Sequence, residues 1–98
     1  MSYKCISIED TKSLLKKEDV TIIDIRDYNS FSNGHVENAR HIEEINIDKF
    51  LLEKNKNDSI LIYCYHGISS KSAAQFFTQN GFQNVFSMEE GYAGWIKV

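Results

Sequence analysis

The sequence predicts an α/β fold of three layers, α/β/α, built on a central, mostly parallel sheet of four to five strands. Residues 20–25 and 60–63 are apolar runs rich in β-branched residues, which is typical of strands buried on both faces. Segments with helical spacing of apolar residues separate the strand-like segments. Such an alternation indicates right-handed β–α–β units with helices on both faces of the sheet.

The first part of the chain predicts a strand, a helix and a second strand. Residues 4–8 have the pattern of a short strand. Ser7 with Asp10 three residues later resembles a capping box, which predicts the start of a helix. The inner face of that helix is expected to carry Ile8, Thr11, Leu14 and Leu15. The buried strand of residues 20–25 follows and stops at Arg26 and Asp27.

The signals between the two strongest strands are weaker. Asn33-Gly34 predicts a turn inside a polar segment, and residues 39–42 predict a short extended piece. The helix expected next has an apolar side made of Ile47, Phe50 and Leu51. Residues 54–58 are polar and predict a solvated loop.

The last part of the chain repeats the alternation. A helix is predicted over residues 70–80, and Gly81 supplies the left-handed stop that commonly follows a helix. The residues available for packing on this helix are Ala73, Ala74, Phe76 and Phe77. Residues 85–88 predict a final strand, and residues 91–95 predict a helical turn that places Trp95 against the core.

Composition and charge exclude several classes of function. With 98 residues we expect one domain, residues 1–98. The net charge of -3 and the scattered lysines leave no basic stripe, so we expect no nucleic-acid partner. No apolar run approaches the roughly 20 residues that cross a bilayer, so we expect no membrane partner and a cytoplasmic location. The two cysteines are far apart, and no paired ligand spacing predicts a metal site.

The most informative segment joins the second apolar strand to the following helix. Cys64 ends the strand, and the helix begins a few residues later. In open parallel sheets ligands bind beyond the carboxyl ends of the strands, and the N–H groups of the helix point back at the loop. The pKa of a cysteine falls from about 8.5 to between about 3.5 and 7.5 in such places. We therefore predict a nucleophilic thiolate at Cys64, with Asp24 and Arg26 approaching the same edge of the sheet.

A thiolate in such a loop can attack phosphorus or sulfur. Cysteine phosphatases need an arginine six positions after the cysteine, because a guanidinium binds phosphate oxygens in pairs. That position is Ser70, and the nearby cations are Lys71 and His66. Sulfur transfer requires only that a persulfide anion be solvated. A cysteine phosphatase or arsenate reductase therefore remains the weaker hypothesis.

Three groups of motifs cover nearly the whole chain in order. The first comprises Asp24-Ile25-Arg26-Asp27 with Phe31, Gly34-His35-Val36 and Ala39-Arg40-His41-Ile42; the second is Cys64-Tyr65-His66-Gly67-Ile68-Ser69-Ser70-Lys71; the third is Gly91 with Trp95. Together they resemble the rhodanese family, and within it the bacterial single-domain thiosulfate sulfurtransferases of the GlpE type.

The resemblance implies a rhodanese-like domain and a sulfurtransferase without a metal or organic cofactor. Cys64 would take the sulfane sulfur of thiosulfate, or of another sulfane donor, as a persulfide. The acceptor would be cyanide or a thiol, with a thioredoxin-like protein as one candidate. The residues implied to bind substrate and persulfide are Tyr65, His66, Gly67, Ile68, Ser69, Ser70 and Lys71, with Ser69 or Ser70 capping the helix. The supporting residues are Asp24 and Arg26, expected as an ion pair, and His35.

Other interpretations stay open at this point. Ile68 stands where relatives often have a polar or basic residue, and Glu90 stands where glycine is common. Ile68 and the modest charge of the loop allow a non-catalytic rhodanese-like module that binds a partner or relays sulfur. Cys64 could also be an inert core residue, because free cysteine is often buried. Cys5 is expected to be structural, and His35 to form a structural hydrogen bond rather than act as a base.

Overall fold

The computed structural model describes residues 2–97, in which five strands form a single sheet. The strand order is β1-β5-β4-β2-β3, and every neighbouring pair is parallel. The strands are Lys4–Ile6 (β1), Val20–Asp24 (β2), Arg40–His41 (β3), Ser59–Tyr63 (β4) and Asn84–Met88 (β5). The predicted parallel sheet is confirmed, at the upper end of the expected number of strands.

Helices connect the strands. They are Ile8–Lys17 (α1), Tyr28–Asn33 (α2), Ile47–Glu53 (α3), Ser69–Gln79 (α4) and Gly91–Trp95 (α5), with a 3-10 turn at Ile42–Glu44. Ser7 caps α1 as predicted, because its hydroxyl accepts the N–H of Asp10 at 3.0 Å. None of the helices within residues 2–97 combines the length and apolarity needed to cross a membrane.

Each face of the sheet buries its own apolar cluster, because alternate side chains of a strand point to opposite faces. On β4, Ile60 and Ile62 contribute to the cluster that α3 and α4 cover. Leu61 and Tyr63 contribute to the cluster on the face of α1. All four side chains are fully buried, so the apolar run in the sequence corresponds to the central strand of a three-layer fold.

The segment between β2 and β3 differs from the prediction. The sequence predicts a polar segment with a turn at Asn33-Gly34, whereas the structure has the helix α2, which ends just before Gly34. Asp27 begins this helix, because its carboxylate accepts the N–H of Ser30 at 3.0 Å and its hydroxyl at 2.8 Å. Phe31 is the one buried residue of α2, so the helix has no apolar repeat that could reveal it.

Three predicted strands are shorter in the structure. The strand predicted over residues 20–25 ends at Asp24. The first strand ends at Ile6 rather than residue 8, because Ile8 already belongs to α1. The extended piece expected at residues 39–42 is the two-residue β3, because the chain then turns into the 3-10 helix. His41 supports that turn, since its Nδ1 accepts the N–H of Glu43 at 3.2 Å.

Candidate active site

Cys64 lies at the carboxyl edge of the sheet, directly after the central strand β4. Its side chain is buried, and its Sγ accepts the main-chain N–H of Gly67 at 3.2 Å and of Ser70 at 3.3 Å. These donors belong to the loop and to the first turn of α4. The thiol therefore lies where the helix presents its unpaired N–H groups, as the sequence predicts.

The expected capping of α4 by Ser69 or Ser70 is wrong. The N-cap residue is Ile68, and no side-chain cap hydrogen bond is present. The Ser70 hydroxyl lies instead 2.7 Å from the hydroxyl of Ser87 on β5. The sulfur of Cys64 accepts a first-turn N–H of α4, and so takes the position that a capping oxygen usually fills.

The hydrogen bonds around the sulfur favour its charged form. Burial acts to raise the pKa of Cys64, because removal from water disfavours a thiolate. The Ser70 hydroxyl and the N–H groups of Ser70, Gly67 and His66 act in the opposite direction. They outweigh burial, so the pKa of Cys64 lies below its ordinary value. An inert core cysteine has no such ring of donors, so the geometry favours a nucleophile.

The loop takes its shape from α5. The N–H of Tyr92 donates to the carbonyl of Cys64 at 2.9 Å, and the N–H of Ala93 donates to the carbonyl of Tyr65 at 3.0 Å. In a planar trans peptide the carbonyl and the following N–H point in opposite directions. Tying these two carbonyls to α5 therefore turns the N–H groups of Tyr65 and His66 away from α5.

This contact requires glycine at position 91. Gly91 has φ 57°, and a Cβ atom there would lie 2.5 Å from the carbonyl oxygens of both Cys64 and Tyr65. No side chain fits so close to the main chain of the loop. Glu90 has φ 64°, a left-handed conformation that is costly for a residue other than glycine. The turn into α5 is therefore closely constrained on the side that faces the loop after Cys64.

Asp24 and Arg26 form the expected ion pair. The buried carboxylate of Asp24 accepts Arg26 Nη2 at 2.7 Å, Nε at 3.0 Å and the Arg26 main-chain N–H at 2.8 Å. Arg26 Nη2 also donates to the carbonyl of Gly34 at 2.7 Å. The guanidinium carbon lies 4.1 Å from the centre of the Tyr92 ring. The pair thus supports α5, and through Tyr92 the loop, without contacting the sulfur itself.

The remaining residues of the loop face solvent. Ile68 is 74% exposed and Tyr65 is 52% exposed. The Tyr65 ring stacks on His66 with 4.8 Å between ring centres. Lys71 is also exposed, in the first turn of α4. The mouth of the site therefore combines two apolar side chains with an imidazole and an ammonium group.

The structure does not bring His35 to the sulfur. Its ring stacks on Phe31 with 3.9 Å between ring centres, and its Nδ1 lies 2.8 Å from the carbonyl of Phe31. These contacts tie His35 to α2, in agreement with the expected structural hydrogen bond. Cys5, expected to be structural, is exposed on β1 because that strand is at the edge of the sheet.

Sequence reasoning missed two residues of the site, Tyr92 and Ser87. Tyr92 acts through its main-chain N–H, which leaves no signal in the side-chain pattern. Ser87 has a weak signal, because it is a polar residue on the same side of β5 as the buried Val85. Only the fold shows that this side faces the first turn of α4.

The arrangement disfavours phosphoryl transfer. The position of the phosphatase arginine holds Ser70, which is fully buried and bound to Ser87. Within residues 2–97 no three histidine, cysteine or acidic side chains are placed to hold a metal ion. The chemistry that the geometry supports is attack by the Cys64 thiolate on an electrophile that needs little charge stabilisation.

Comparison with known proteins agrees with the motifs. The rhodanese-like domain family model matches residues 7–98. Thiosulfate sulfurtransferase GlpE of Pseudoalteromonas translucida is 45% identical over 95 residues, covering 97% of this chain and 90% of that protein. The protein of the same name from Coxiella burnetii is 39% identical over 95 residues, covering 97% and 89%. A crystal structure of a rhodanese-like domain protein from Staphylococcus aureus has a TM-score of 0.78 at 29% identity, covering 94% and 90%.

Proposed function

This chain belongs to the rhodanese-like domain family, and from that premise we propose that it is a thiosulfate sulfurtransferase that carries sulfur on Cys64. The observation that supports the residue assignment is the position of Sγ, which accepts N–H groups from Gly67 and Ser70. The relatives named thiosulfate sulfurtransferase, at 39% and 45% identity over nearly the whole chain, support the activity.

In the first step the Cys64 thiolate attacks the outer sulfur of thiosulfate. A sulfur–sulfur bond forms to Cys64, the sulfur–sulfur bond of thiosulfate breaks, and sulfite leaves with the electron pair. The product is an anionic Cys64 persulfide, so the total charge is unchanged. The N–H groups that hold the thiolate are placed to solvate this anion as well, and hydrogen bonds to charged groups are the stronger ones.

In the second step an acceptor removes the outer sulfur. A thiolate or cyanide attacks that atom, the bond to Cys64 breaks, and the Cys64 thiolate leaves with the electron pair. The acceptor is released as a persulfide or as thiocyanate. Donor and acceptor thus react in turn with one covalent centre, which predicts ping-pong kinetics. A thioredoxin-like protein is a suitable acceptor, because the exposed side chains of Tyr65 and Ile68 offer apolar contact beside the sulfur.

Lys71 and His66 are proposed to attract the anionic donor, because both are exposed near the sulfur. Asp24 and Arg26 are proposed as supporting residues that act through α5. Cys5 and Cys64 are both free thiols, and Cys5 is exposed, which suits a reducing compartment, so we propose a cytoplasmic location.

Intact mass spectrometry tests the covalent step. After incubation with thiosulfate the protein is expected to gain the mass of one sulfur atom and to lose it on addition of cyanide. Cys64→Ser is expected to abolish both the mass gain and the production of thiocyanate. The matched control is Cys5→Ser, which removes the other thiol and is expected to gain sulfur as the wild-type protein does. A mass gain that survives in Cys64→Ser would contradict the assignment.

A sulfur-relay module is the second candidate, and the 74% exposure of Ile68 favours it. An apolar side chain at the mouth supplies no donor for the oxygens of thiosulfate. The same mass measurement with a protein persulfide as the donor separates the two functions. Transfer to Cys64 from the protein persulfide, together with none from thiosulfate, would establish the relay and exclude the thiosulfate reaction.

A further inference from the structure

Two buried hydroxyl groups lie behind Cys64, one on α4 and the other on β5. The Oγ atoms of Ser70 and Ser87 are 2.7 Å apart, and the residues are 0% and 1% exposed. Ser70 also donates its main-chain N–H to the sulfur at 3.3 Å, which places this residue directly beside it. Ser87 lies on β5, and its hydroxyl bonds to Ser70 rather than to the sulfur, so we expect it to act on the sulfur through Ser70.

The number of protons decides how this pair is oriented. Each hydroxyl carries one proton, and the contact between the two oxygens uses only one of them. If Ser70 donated to Ser87, the Ser87 proton would have no second hydrogen-bond partner among residues 2–97, which is costly for a buried hydroxyl. If Ser87 donates to Ser70, the Ser70 proton is available to the sulfur. The second arrangement leaves the Ser70 proton free to turn toward the sulfur, beside which the main-chain N–H of Ser70 already lies.

We propose that Ser87 is a positioning residue that keeps the Ser70 hydroxyl oriented so that it donates to the thiolate, and then to the persulfide, of Cys64. No covalent bond to either serine forms or breaks. The part that concerns the persulfide rests on the function proposed above, whereas the part that concerns the thiolate does not. The Ser70 hydroxyl is already among the groups that lower the pKa of Cys64.

The test measures the pKa of Cys64 from the pH dependence of its alkylation by iodoacetamide. Every variant carries Cys5→Ser, so that Cys64 is the sole thiol. Ser70→Ala is expected to raise this pKa by about one unit, which means about tenfold less thiolate at any pH well below the pKa. Ser87→Ala is expected to raise it by about half a unit, or about threefold. Adding Ser87→Ala to Ser70→Ala is expected to change nothing further, because the intermediary has been removed.

Two further variants separate positioning from packing. Thr78→Val is the matched control, because it removes another buried hydroxyl from α4, one with no hydrogen-bond partner within residues 2–97. It is expected to leave the pKa of Cys64 unchanged. Ser87→Thr keeps a hydroxyl at this strand position, so the pKa of Cys64 in this variant is expected to lie close to the wild-type value. It also keeps the test valid if Ser87→Ala does not fold.

The charged groups around the site stay constant in all of these variants. They are His66 in the loop, Lys71 on α4, Glu89 and Glu90 after β5, Asp24 at the end of β2 and Arg26 two residues later. A shift in pKa therefore reports the hydroxyl pair rather than a change of charge.

Two results would overturn the proposal. One is a pKa of Cys64 in Ser87→Ala that equals the wild-type value. The other is a shift on Ser87→Ala that is as large in the Ser70→Ala background as in the protein that keeps the Ser70 hydroxyl. The mass measurement on the wild-type protein is separate. If the wild-type protein takes up no sulfur while the serine variants still shift the pKa of Cys64 as expected, the proposed function is wrong and the positioning of the thiolate stands.

Discussion

The substitution Gly91→Ala tests how α5 shapes the loop after Cys64. A Cβ atom at this position would lie 2.5 Å from the carbonyl oxygens of Cys64 and Tyr65, which are main-chain atoms that cannot swing aside. The two carbonyls accept the N–H groups of Tyr92 and Ala93, so separating α5 from the loop breaks both hydrogen bonds.

The magnitude follows from these two effects. A non-glycine residue in the left-handed region costs about 1–2 kcal/mol. Each lost hydrogen bond adds about 1 kcal/mol. We therefore expect Gly91→Ala to lower the free energy of unfolding by about 3–4 kcal/mol, a large fraction of the 5–15 kcal/mol of a typical domain.

Gly81→Ala is the matched control. Gly81 has φ 97°, so alanine bears the same kind of conformational cost there. A Cβ atom on Gly81 would meet only the end of the Lys56 side chain, at 3.7 Å. This variant is expected to lose only about 1–2 kcal/mol, because it leaves the loop untouched.

Urea unfolding gives the free energies, and iodoacetamide alkylation in the Cys5→Ser background gives the reactivity of Cys64. Gly91→Ala is expected to slow alkylation at neutral pH, because displacing the loop disturbs the N–H groups that lower the pKa of Cys64. Gly81→Ala is expected to react at the wild-type rate. Equal losses of stability in the two variants, with equal alkylation rates, would show that α5 does not shape the loop.

Three further predictions concern stability and pH. Asp24→Ala is expected to lower the free energy of unfolding by about 3–5 kcal/mol in urea titrations, because it leaves the Arg26 guanidinium buried without its partner; a loss below about 1 kcal/mol would contradict this. Glu90→Gly is expected to raise that free energy by about 1 kcal/mol, since it relieves a left-handed residue at φ 64°, and an unchanged unfolding midpoint would count against the strain. Because the pKa of Cys64 in the folded protein lies below its ordinary value, the rate of sulfur loading is expected to be constant above the folded pKa and to decrease as the pH falls through it. The stability that the thiolate contributes to the fold is present above the unfolded pKa and is lost as the pH falls through the folded pKa. A loading rate that still rises with pH above the ordinary cysteine pKa of about 8.5 would show that the thiolate is not stabilised.

The parts of the fold that the sequence predicts well are those with strong local signals. The central strand β4 contains the apolar run of residues 60–63, and α4 ends at Gln79, two residues before Gly81 in the left-handed conformation. Cys64 could be assigned because it falls at the junction of these two elements. The helix α2 could not be predicted, because one buried residue, Phe31, gives no periodicity.

The finer parts of the site depend on contacts between distant segments. Ser87 is 17 residues from Ser70, and only the parallel pairing of β5 with β4 brings it behind the loop. The capping of α4 was mispredicted for a related reason. Serine at the start of a helix usually supplies the capping oxygen, but here the sulfur of Cys64, five residues before Ser69, accepts the N–H of Ser70.

Because that sulfur accepts the N–H of Ser70 in the first turn of α4, this hydrogen bond depends on the chemical form of the sulfur. An alkylated sulfur is a poor acceptor, whereas an anionic one is a good acceptor. Amide exchange of Ser70 with deuterated solvent should therefore be slow in the thiolate form and faster after alkylation. The first turn of α4 would then serve as a spectroscopic reporter of whether the sulfur is free or blocked, without any added label.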